Sequence, residues 1–461
     1  MCGILGIYTE NSIDVKALCY YGMLGLQHRG QEACGLVFHS DDSSNYKHNN
    51  TSELFKVEGS VERLFRHVNI TQGSSSTCVL GHTRYSTTGE QDYNNIQPFR
   101  ISNVLGCISL VHNGNLTNTE ELKNLCIKYK LDIKGSTDSE LILLLISHYW
   151  TLKCSLENSI LKVVALCKGA FSLIISSYNT MYIYRDVKGV RPLVYGLYTE
   201  ENMEAHIVTS ETCVLDTMGA KYIKEIPIGT LISFSKNNKF NIIDQKLNIN
   251  KKTCIFENIY FSRPDSIVNK EALYQYRFRL GMLLATKLPV EADVVIGTPD
   301  SGLVAALGYS QASSVPYGEG LIKNRYIGRT FIQPTQTMRQ QGIKIKLNPI
   351  PHILKDKIVI LVDDSIVRGN TSKLIVRSIK EAGATEVHVR ISSPPIFNPC
   401  NLGMDFPTSE ELITYNKSIE DICAYIEADS LAYLSVEGIV SATLDDANNY
   451  CTGCFNGQYL D

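Results

Sequence analysis

No stretch of the sequence approaches eighteen consecutive apolar residues, no basic segment leads into an apolar one near the start, and no lipidation signal is present. Those absences exclude a helical membrane span and set the expectation of an untargeted cytoplasmic protein. Neither sign of charge is in large excess. The 44 Lys and Arg against 47 Asp and Glu leave a formal charge of −3, which argues against a nucleic-acid scaffold. Internal repeats and low-complexity tracts are missing too. What is there is a globular composition, 44% hydrophobic and 20% charged over 461 residues, enough for two or three packed cores. Fourteen cysteines without a secretory signal point to a reducing compartment, where most thiols are small buried hydrophobes. Cys19, Cys34, Cys78, Cys107, Cys126, Cys154, Cys167, Cys213 and Cys423 are read that way.

Cys2 is different, because it stands directly behind Met1. Were Met1 removed, one residue would carry a thiol of pKa about 8.5 and an α-amine of pKa about 8, a nucleophile beside its own base. Four segments follow in order: Leu26-Gln27-His28-Arg29-Gly30-Gln31, Gly81-His82-Thr83-Arg84-Tyr85-Ser86, His112-Asn113-Gly114-Asn115 and Ser136-Thr137-Asp138-Ser139-Glu140. Arg84 ends an apolar stretch, where a guanidinium can grip an α-carboxylate in a two-pronged contact, and Asp138 can answer an ammonium. Asn113 and Gly114 follow the apolar residues 108–111, at a strand end where a side-chain amide and a backbone N–H can converge on an oxyanion. Thr137 and Glu140 also fit a capping box opening an apolar helix, which gives Asp138 a structural alternative as a first-turn acid. Together the segments resemble the signatures of N-terminal-nucleophile glutamine amidotransferases. That resemblance implies an αββα sandwich, with Cys2, Asn113 and Gly114 catalytic and Arg29, Arg84 and Asp138 holding glutamine.

Residues 235–252 read as an Asn- and Lys-rich edge strand and connector, dividing the chain into units over 1–240 and 254–461. Short alternating runs such as Thr230 to Phe234 predict sheets in the first unit, with helices near 14–27, 118–129 and 138–150. In the second, a buried strand over 357–362, a loop over 363–371, a helix over 372–382 stopped by Gly383, and an alternating strand through Val387, Val389 and Ile391 form a βαβ unit. Its loop contains Asp363-Asp364-Ser365-Ile366-Val367-Arg368-Gly369-Asn370-Thr371. Adjacent acids at a strand's carboxyl end can hold ribose hydroxyls, and backbone donors entering a helix N-terminus can cradle a phosphate.

This segment resembles the phosphoribosylpyrophosphate motif of type I phosphoribosyltransferases. The resemblance implies an α/β domain with a parallel sheet, and substrate contacts from Asp363, Asp364, Ser365, Ile366, Val367, Arg368, Gly369 and Thr371. It also implies that Gly297-Thr298-Pro299-Asp300-Ser301-Gly302 holds pyrophosphate. Ser301, Asp363 and Asp364 would then lie near magnesium, whose other ligands are substrate phosphates and water. Gly297-Thr298 departs from the proline-rich approach common in that family. The polar segment from Leu321 to Arg339 resembles the family's closing loop, with Lys323, Tyr326 and Arg329 as lid contacts over a centre that water would intercept.

Both signatures in one chain resemble the glutamine phosphoribosylpyrophosphate amidotransferases over essentially its whole length. The resemblance implies that Cys2 attacks glutamine and that ammonia passes internally to the second site. There it displaces pyrophosphate from 5-phosphoribosyl 1-pyrophosphate, giving 5-phosphoribosylamine in de novo purine synthesis. It further implies feedback inhibition by purine nucleotides and a homotetramer, with no nucleic acid or membrane partner. Cys254, Cys400, Cys451 and Cys454 match the ligand positions of the branch that carries a [4Fe–4S] cluster. By chemistry alone zinc would accept four thiolates equally well, although the lack of a second C-x-x-C pair leans away from a zinc ribbon. That branch usually carries a propeptide, so with only Met1 ahead of Cys2 the expectation is activation by methionine removal. A hexosamine synthase should continue into sugar-isomerase repeats instead of residues 358–371. A non-catalytic nucleotide-sensing regulator of phosphoribosyltransferase fold should lack the Cys2 constellation or carry a basic DNA-binding element.

Overall fold

Alternation along the early strands dictates the layering of the first half. In the strand Gly3–Asp14, Ile4 and Tyr8 enter one apolar cluster while Leu5 and Ile7 enter another. In Ala33–His39, Val37 joins the first cluster and Leu36 and Phe38 the second. A strand buried on both faces needs a sheet on one side and helices on the other. The computed structural model describes residues 1–39, 52–67, 75–85, 92–200, 203–236, 238–247, 249–324 and 347–460.

Two antiparallel sheets supply that arrangement. The seven-stranded sheet runs Lys221–Glu225, Val194–Glu200, Met203–Thr209, Gly3–Asp14, Ser75–Arg84, Ala33–His39, Ser52–Glu58. The six-stranded sheet runs Asn238–Gln245, Thr230–Ser235, Thr180–Arg185, Gly169–Ser177, Gly106–Leu116, Phe99–Asn103. Val37, Leu80, Val111, Ile174, Ile183 and Val208 fill the space between them. Helices Lys16–Gly25 and Thr212–Met218 cover the outer face of the first sheet, and Thr119–Lys128, Asp138–Thr151 and Leu156–Leu166 that of the second. The result is the expected αββα sandwich. Its edge strand Asn238–Gln245 runs past residue 240, because it completes the pairing of Thr230–Ser235.

The second half is built on four parallel strands in the order Val294–Gly297, Ile358–Asp363, Glu386–Ile391, Ser430–Tyr433. The near-continuous apolar sequence of the first two strands reflects burial on both faces, whereas Glu386–Ile391 alternates and the outer strand Ser430–Tyr433 is only half-buried. Val359, Leu361, Val387 and Val389 pack with the helix Asn370–Glu381, whereas Val295, Ile360 and Val362 face the helices Leu273–Lys287 and Leu303–Ser313. Cys254 pairs with Cys451 in a two-residue parallel ladder that returns the C-terminal tail to the start of this half. Backbone bonds from Lys252 N–H to the Lys188 carbonyl (2.7 Å) and from Cys254 N–H to the Val190 carbonyl (3.2 Å) join the two halves. Among the described residues, no helix is long and apolar enough to cross a membrane.

Candidate active sites

Cys2 is fixed at both ends of its backbone. Its N–H donates to Asn113 Oδ1 (3.2 Å), its carbonyl accepts from Arg29 Nε (3.0 Å), and its thiol points to the Tyr85 carbonyl (3.5 Å). Arg84, 6% exposed, ends the strand that pairs with Gly3–Asp14, so the sheet itself brings residues 84 and 85 beside the thiol. Asn113 is fully buried, and its Nδ2 finds no hydrogen-bond partner among the described residues, leaving a donor at the site. Gly114 has φ of +150°, and a Cβ there would lie 2.0 Å from the Ala170 carbonyl oxygen of the adjacent strand. Only glycine fits that backbone.

Asp138 is buried at the start of its helix. Its carboxylate accepts from Leu116 N–H (2.9 Å) and Ser139 Oγ (3.1 Å) and lies 3.5 Å from His112 Nδ1. Burial alone would raise its pKa, but the charge of His112 and these hydrogen bonds hold the carboxyl below its ordinary range. The capping box read from the sequence does not form. Thr137 makes no side-chain cap bond, and Glu140 instead accepts from Lys134 N–H (2.9 Å) and Gly135 N–H (2.8 Å), tying down the preceding turn.

Arg29, expected to hold glutamine, spends its donors on protein groups. It is fully buried, and besides Cys2 it donates to Glu211 and to both oxygens of Glu257 (2.8 and 3.1 Å). Glu257 also meets Arg191 Nη1 at 3.4 Å, and Glu211 accepts from His28 Nε2 (2.7 Å) and Arg263 N–H (2.9 Å). Sequence reasoning missed Glu211, Glu257 and Arg191. A signal existed for Glu257, a lone acid inside Ile255-Phe256-Glu257-Asn258-Ile259-Tyr260-Phe261, since an acid in an apolar run is buried only with a partner.

The second half also reaches over the Cys2 site. Tyr85 Oη donates to Asp405 (2.7 Å), Asn115 Nδ2 donates to the Asn401 carbonyl (2.8 Å), and Gly403 lies against Gly114.

At the carboxyl end of Ile358–Asp363 the two acids are buried side by side, with Asp364 N–H donating to Asp363 Oδ1 (2.9 Å) and Ser365 bonded to Asp364. Burial and the neighbouring Asp364 push the Asp363 carboxyl well above its ordinary range. Gly369, at φ +74°, turns the loop into the helix Asn370–Glu381, which carries Thr371 in its first turn. No side chain caps that helix start, so its backbone donors remain for an anion. Ile366 is buried in the core, the Val367 carbonyl accepts from Ile413 N–H (2.8 Å), and Arg368 pairs with Glu411. The loop holding Ser301 abuts this one: Thr298 N–H donates to the Val362 carbonyl (2.9 Å), and a Cβ on Gly302 would stand 3.1 Å from Asp363 Cα. Lys323 pairs with Asp300 on the same rim. Tyr326 and Arg329 lie outside the described residues.

The four cysteines Cys254, Cys400, Cys451 and Cys454 are each 7% exposed, and none forms a disulfide. They share one apolar cluster, and the Phe397 and Asn398 N–H groups both donate to the Cys454 carbonyl at 3.0 Å. Burial first, then the fields of Cys254, Cys400 and Cys451, push the Cys454 thiol well up, and burial raises Cys254 to about 12. Among the described residues no group of three or more His, Cys, Asp or Glu side chains is placed to hold a metal ion as it stands.

Residues 82–217 match the glutamine amidotransferase domain family, and residues 279–392 match the phosphoribosyl transferase domain family. The amidophosphoribosyltransferase of Synechocystis sp. is 45% identical over 461 residues, spanning 99% of this chain and 90% of that protein. The Bacillus subtilis amidophosphoribosyltransferase is 41% identical over 99% of this chain and 94% of its own length. A solved structure of the B. subtilis glutamine phosphoribosylpyrophosphate amidotransferase complexed with ADP and GMP superposes with a TM-score of 0.89 at 39% identity, covering 99% of this chain and 97% of that one. A structure described as the allosteric regulatory enzyme of purine biosynthesis gives the same TM-score and identity, covering 99% and 96%.

Proposed function

The chain belongs to the amidophosphoribosyltransferase family, and from that premise we infer how its residues divide the work. It is an enzyme that transfers the amide nitrogen of glutamine to phosphoribosylpyrophosphate in purine biosynthesis. The observation that carries the assignment of roles is Cys2, clasped between Asn113 and Arg29 at the meeting of both halves.

In the first half, Cys2 is the nucleophile that attacks the amide carbon of glutamine once its amine is free to take the thiol proton. Asn113 Nδ2 and the Gly114 N–H receive the oxyanion, which supports their assignment because Asn113 brings an uncommitted donor. Arg84 grips the α-carboxylate and Asp138, held ionised, answers the α-ammonium. The released ammonia would become mostly unreactive ammonium in water, so an internal passage has a physical motive. The second-half residues 401–405 packed on the Cys2 site support it.

In the second half, the loop 363–371 binds the ribose and its 5-phosphate, and Ser301 and Lys323 the pyrophosphate. Ammonia then attacks C1 of the ribose as pyrophosphate departs. Asp363, Asp364 and Ser301 suit magnesium, since a divalent cation relieves the repulsion between two buried carboxylates. When bound, that ion supplies charge neutralisation for the leaving pyrophosphate. Purine nucleotides, which the B. subtilis structure contains, are proposed to bind this chain as inhibitors. The working units are residues 1–240, extended through the edge strand Asn238–Gln245, and 254–461.

Cys254, Cys400, Cys451 and Cys454 are proposed as the ligands of a [4Fe–4S] cluster. Four buried thiols, free of disulfides and gathered in one apolar cluster, make the donor set such a group requires. When bound, it would pin the C-terminal tail to the second core. A cytoplasmic setting, supported by fourteen free thiols, and a homotetramer, testable by sedimentation, complete the proposal.

The deciding experiment measures glutamate release from glutamine by anaerobically purified protein, with and without magnesium phosphoribosylpyrophosphate, while following pyrophosphate in the same reaction. Glutamate release that rises with the second substrate and matches pyrophosphate one for one is expected. Glutamate without pyrophosphate would refute the coupled assignment.

A further inference from the structure

Cys2 is gripped by a guanidinium whose other donors reach into the opposite half of the molecule. Arg29 sits on the short turn Gln27–Arg29 that follows the helix Lys16–Gly25. Its Nε holds the Cys2 carbonyl at 3.0 Å, Nη1 binds Glu211, and Nη2 binds Glu257 at 2.8 and 3.1 Å. Glu211 comes from the first half, but Glu257 follows Cys254 at the start of the second. The side chains of all three are completely buried, and the ring of Phe261 lies 4.7 Å from Arg29 Cζ.

A guanidinium carries its donors in a rigid plane, so three acceptors on three edges fix both its position and its tilt. The Cys2 carbonyl is thereby held from one side while Asn113 holds its N–H from the other. Glu257 is in turn fixed by Ser262 Oγ (2.8 Å) and by Arg191, whose Nη2 donates to the Leu402 carbonyl. The clamp on the nucleophile's backbone is therefore complete only when the second half is seated.

We propose that Arg29 is a positioning residue for Cys2, and that Glu257, by completing its clamp across the boundary, makes glutamine cleavage conditional on docking of the second half. This deepens the glutaminase assignment and rests on it. The donors of Arg29 go to the Cys2 carbonyl, Glu211 and Glu257, not to the thiol. Its effect belongs in the rate of thiol attack and not in affinity, and a misplacement of about 1 Å costs about 10²-fold.

The test uses the full-length protein and the variants Glu257→Gln, Arg29→Lys and Ser262→Ala. Covalent inactivation by the glutamine analogue 6-diazo-5-oxo-L-norleucine is resolved into a maximal rate and a half-saturating concentration, across pH, beside kcat and KM for glutamine. Glu257→Gln and Arg29→Lys should lower kcat and the maximal inactivation rate about 10²-fold while half-saturation moves by no more than about threefold. Ser262→Ala, which loosens the carboxylate without stranding a charge, should fall the same way by a smaller factor. It decides the matter should the charge variants fail to fold. Variants that only melt earlier, with maximal rate and pH profile unchanged, would overturn the proposal. So would a rise in half-saturation alone, which would mark Arg29 as a glutamine contact. A parent protein that neither reacts with the analogue nor releases glutamate would instead bring down the glutaminase assignment itself.

Discussion

Asp363 and Gly114 show how far single residues are bent toward chemistry at some cost to packing. Gly114 accepts a left-handed φ and a strand neighbour that leaves no room for a side chain, so that its N–H sits beside Asn113. Asp363 is buried against a second carboxylate, which drives its pKa up and makes its ionised form unfavourable in the fold. An acid with a raised pKa in the folded state contributes stability at low pH that is lost as pH rises through the folded value. Asp363→Asn should therefore raise the melting temperature at neutral pH in magnesium-free buffer. The same change should slow pyrophosphate release, since a charged hydrogen bond worth roughly 1.5–3 kcal/mol corresponds to about 10- to 150-fold in rate. Calorimetry paired with a pyrophosphate assay reads both. A lower melting temperature would mean that Asp363 is satisfied by contacts of its own.

Elements, more than isolated residues, decide where these groups meet. Parallel strands deliver their loops to one end of the sheet, so Ser301 and Asp363, far apart in sequence, come to lie in abutting loops. In the sandwich, the strand Ala33–His39 ends at His39, whose Nε2 meets Ser109 Oγ of the facing sheet at 3.1 Å. Burial, helped by the charge of Arg100, lowers the His39 pKa to about 4. In the unfolded chain the imidazole takes up its proton near 6.5, so between about 6.5 and 4 the unfolded state binds more protons and stability falls with pH. The full loss amounts to roughly 3 kcal/mol. His82, buried beside Arg84, shifts in the same direction. Urea midpoints should decline from pH 7 to pH 5, and His39→Gln should flatten that decline. An unchanged slope would show that the His39 ring takes up its proton equally well in the folded and unfolded chain.

At the scale of the whole molecule the C-terminal tail and the first half both depend on the segment around Cys254. Its ladder with Tyr450–Cys451 ties down the tail, and the hydrogen bond from its N–H to the Val190 carbonyl ties it to the sandwich. If the four thiols carry a cluster, its binding energy is also folding energy for this junction. Cys451→Ser should lose iron and inorganic sulfide and melt several degrees lower than the parent. Unchanged metal content and melting temperature would contradict the cluster.

Local pattern was enough to read the helices Thr119–Lys128 and Asp138–Thr151, the strand–loop–helix around Asp363 and the layered first half. Hydrophobic periodicity and turn chemistry act over a few residues and are written directly in the chain. Cys2, Asn113 and Asp138 stood out for the same reason, as chemical groups at strand and helix ends. The fate of Arg29 did not. Its partners Glu211 and Glu257 are separated from it by 182 and 228 positions, and no spacing rule links charges that far apart. The failed capping box at Thr137 is the same lesson at short range, because Glu140 found better donors in the turn before it. Sequence by itself determined which chemistries this protein contains. Tertiary structure alone decided which buried charges pair and how the two halves meet at Cys2, because burying an ion is tolerable only where the fold delivers its partner.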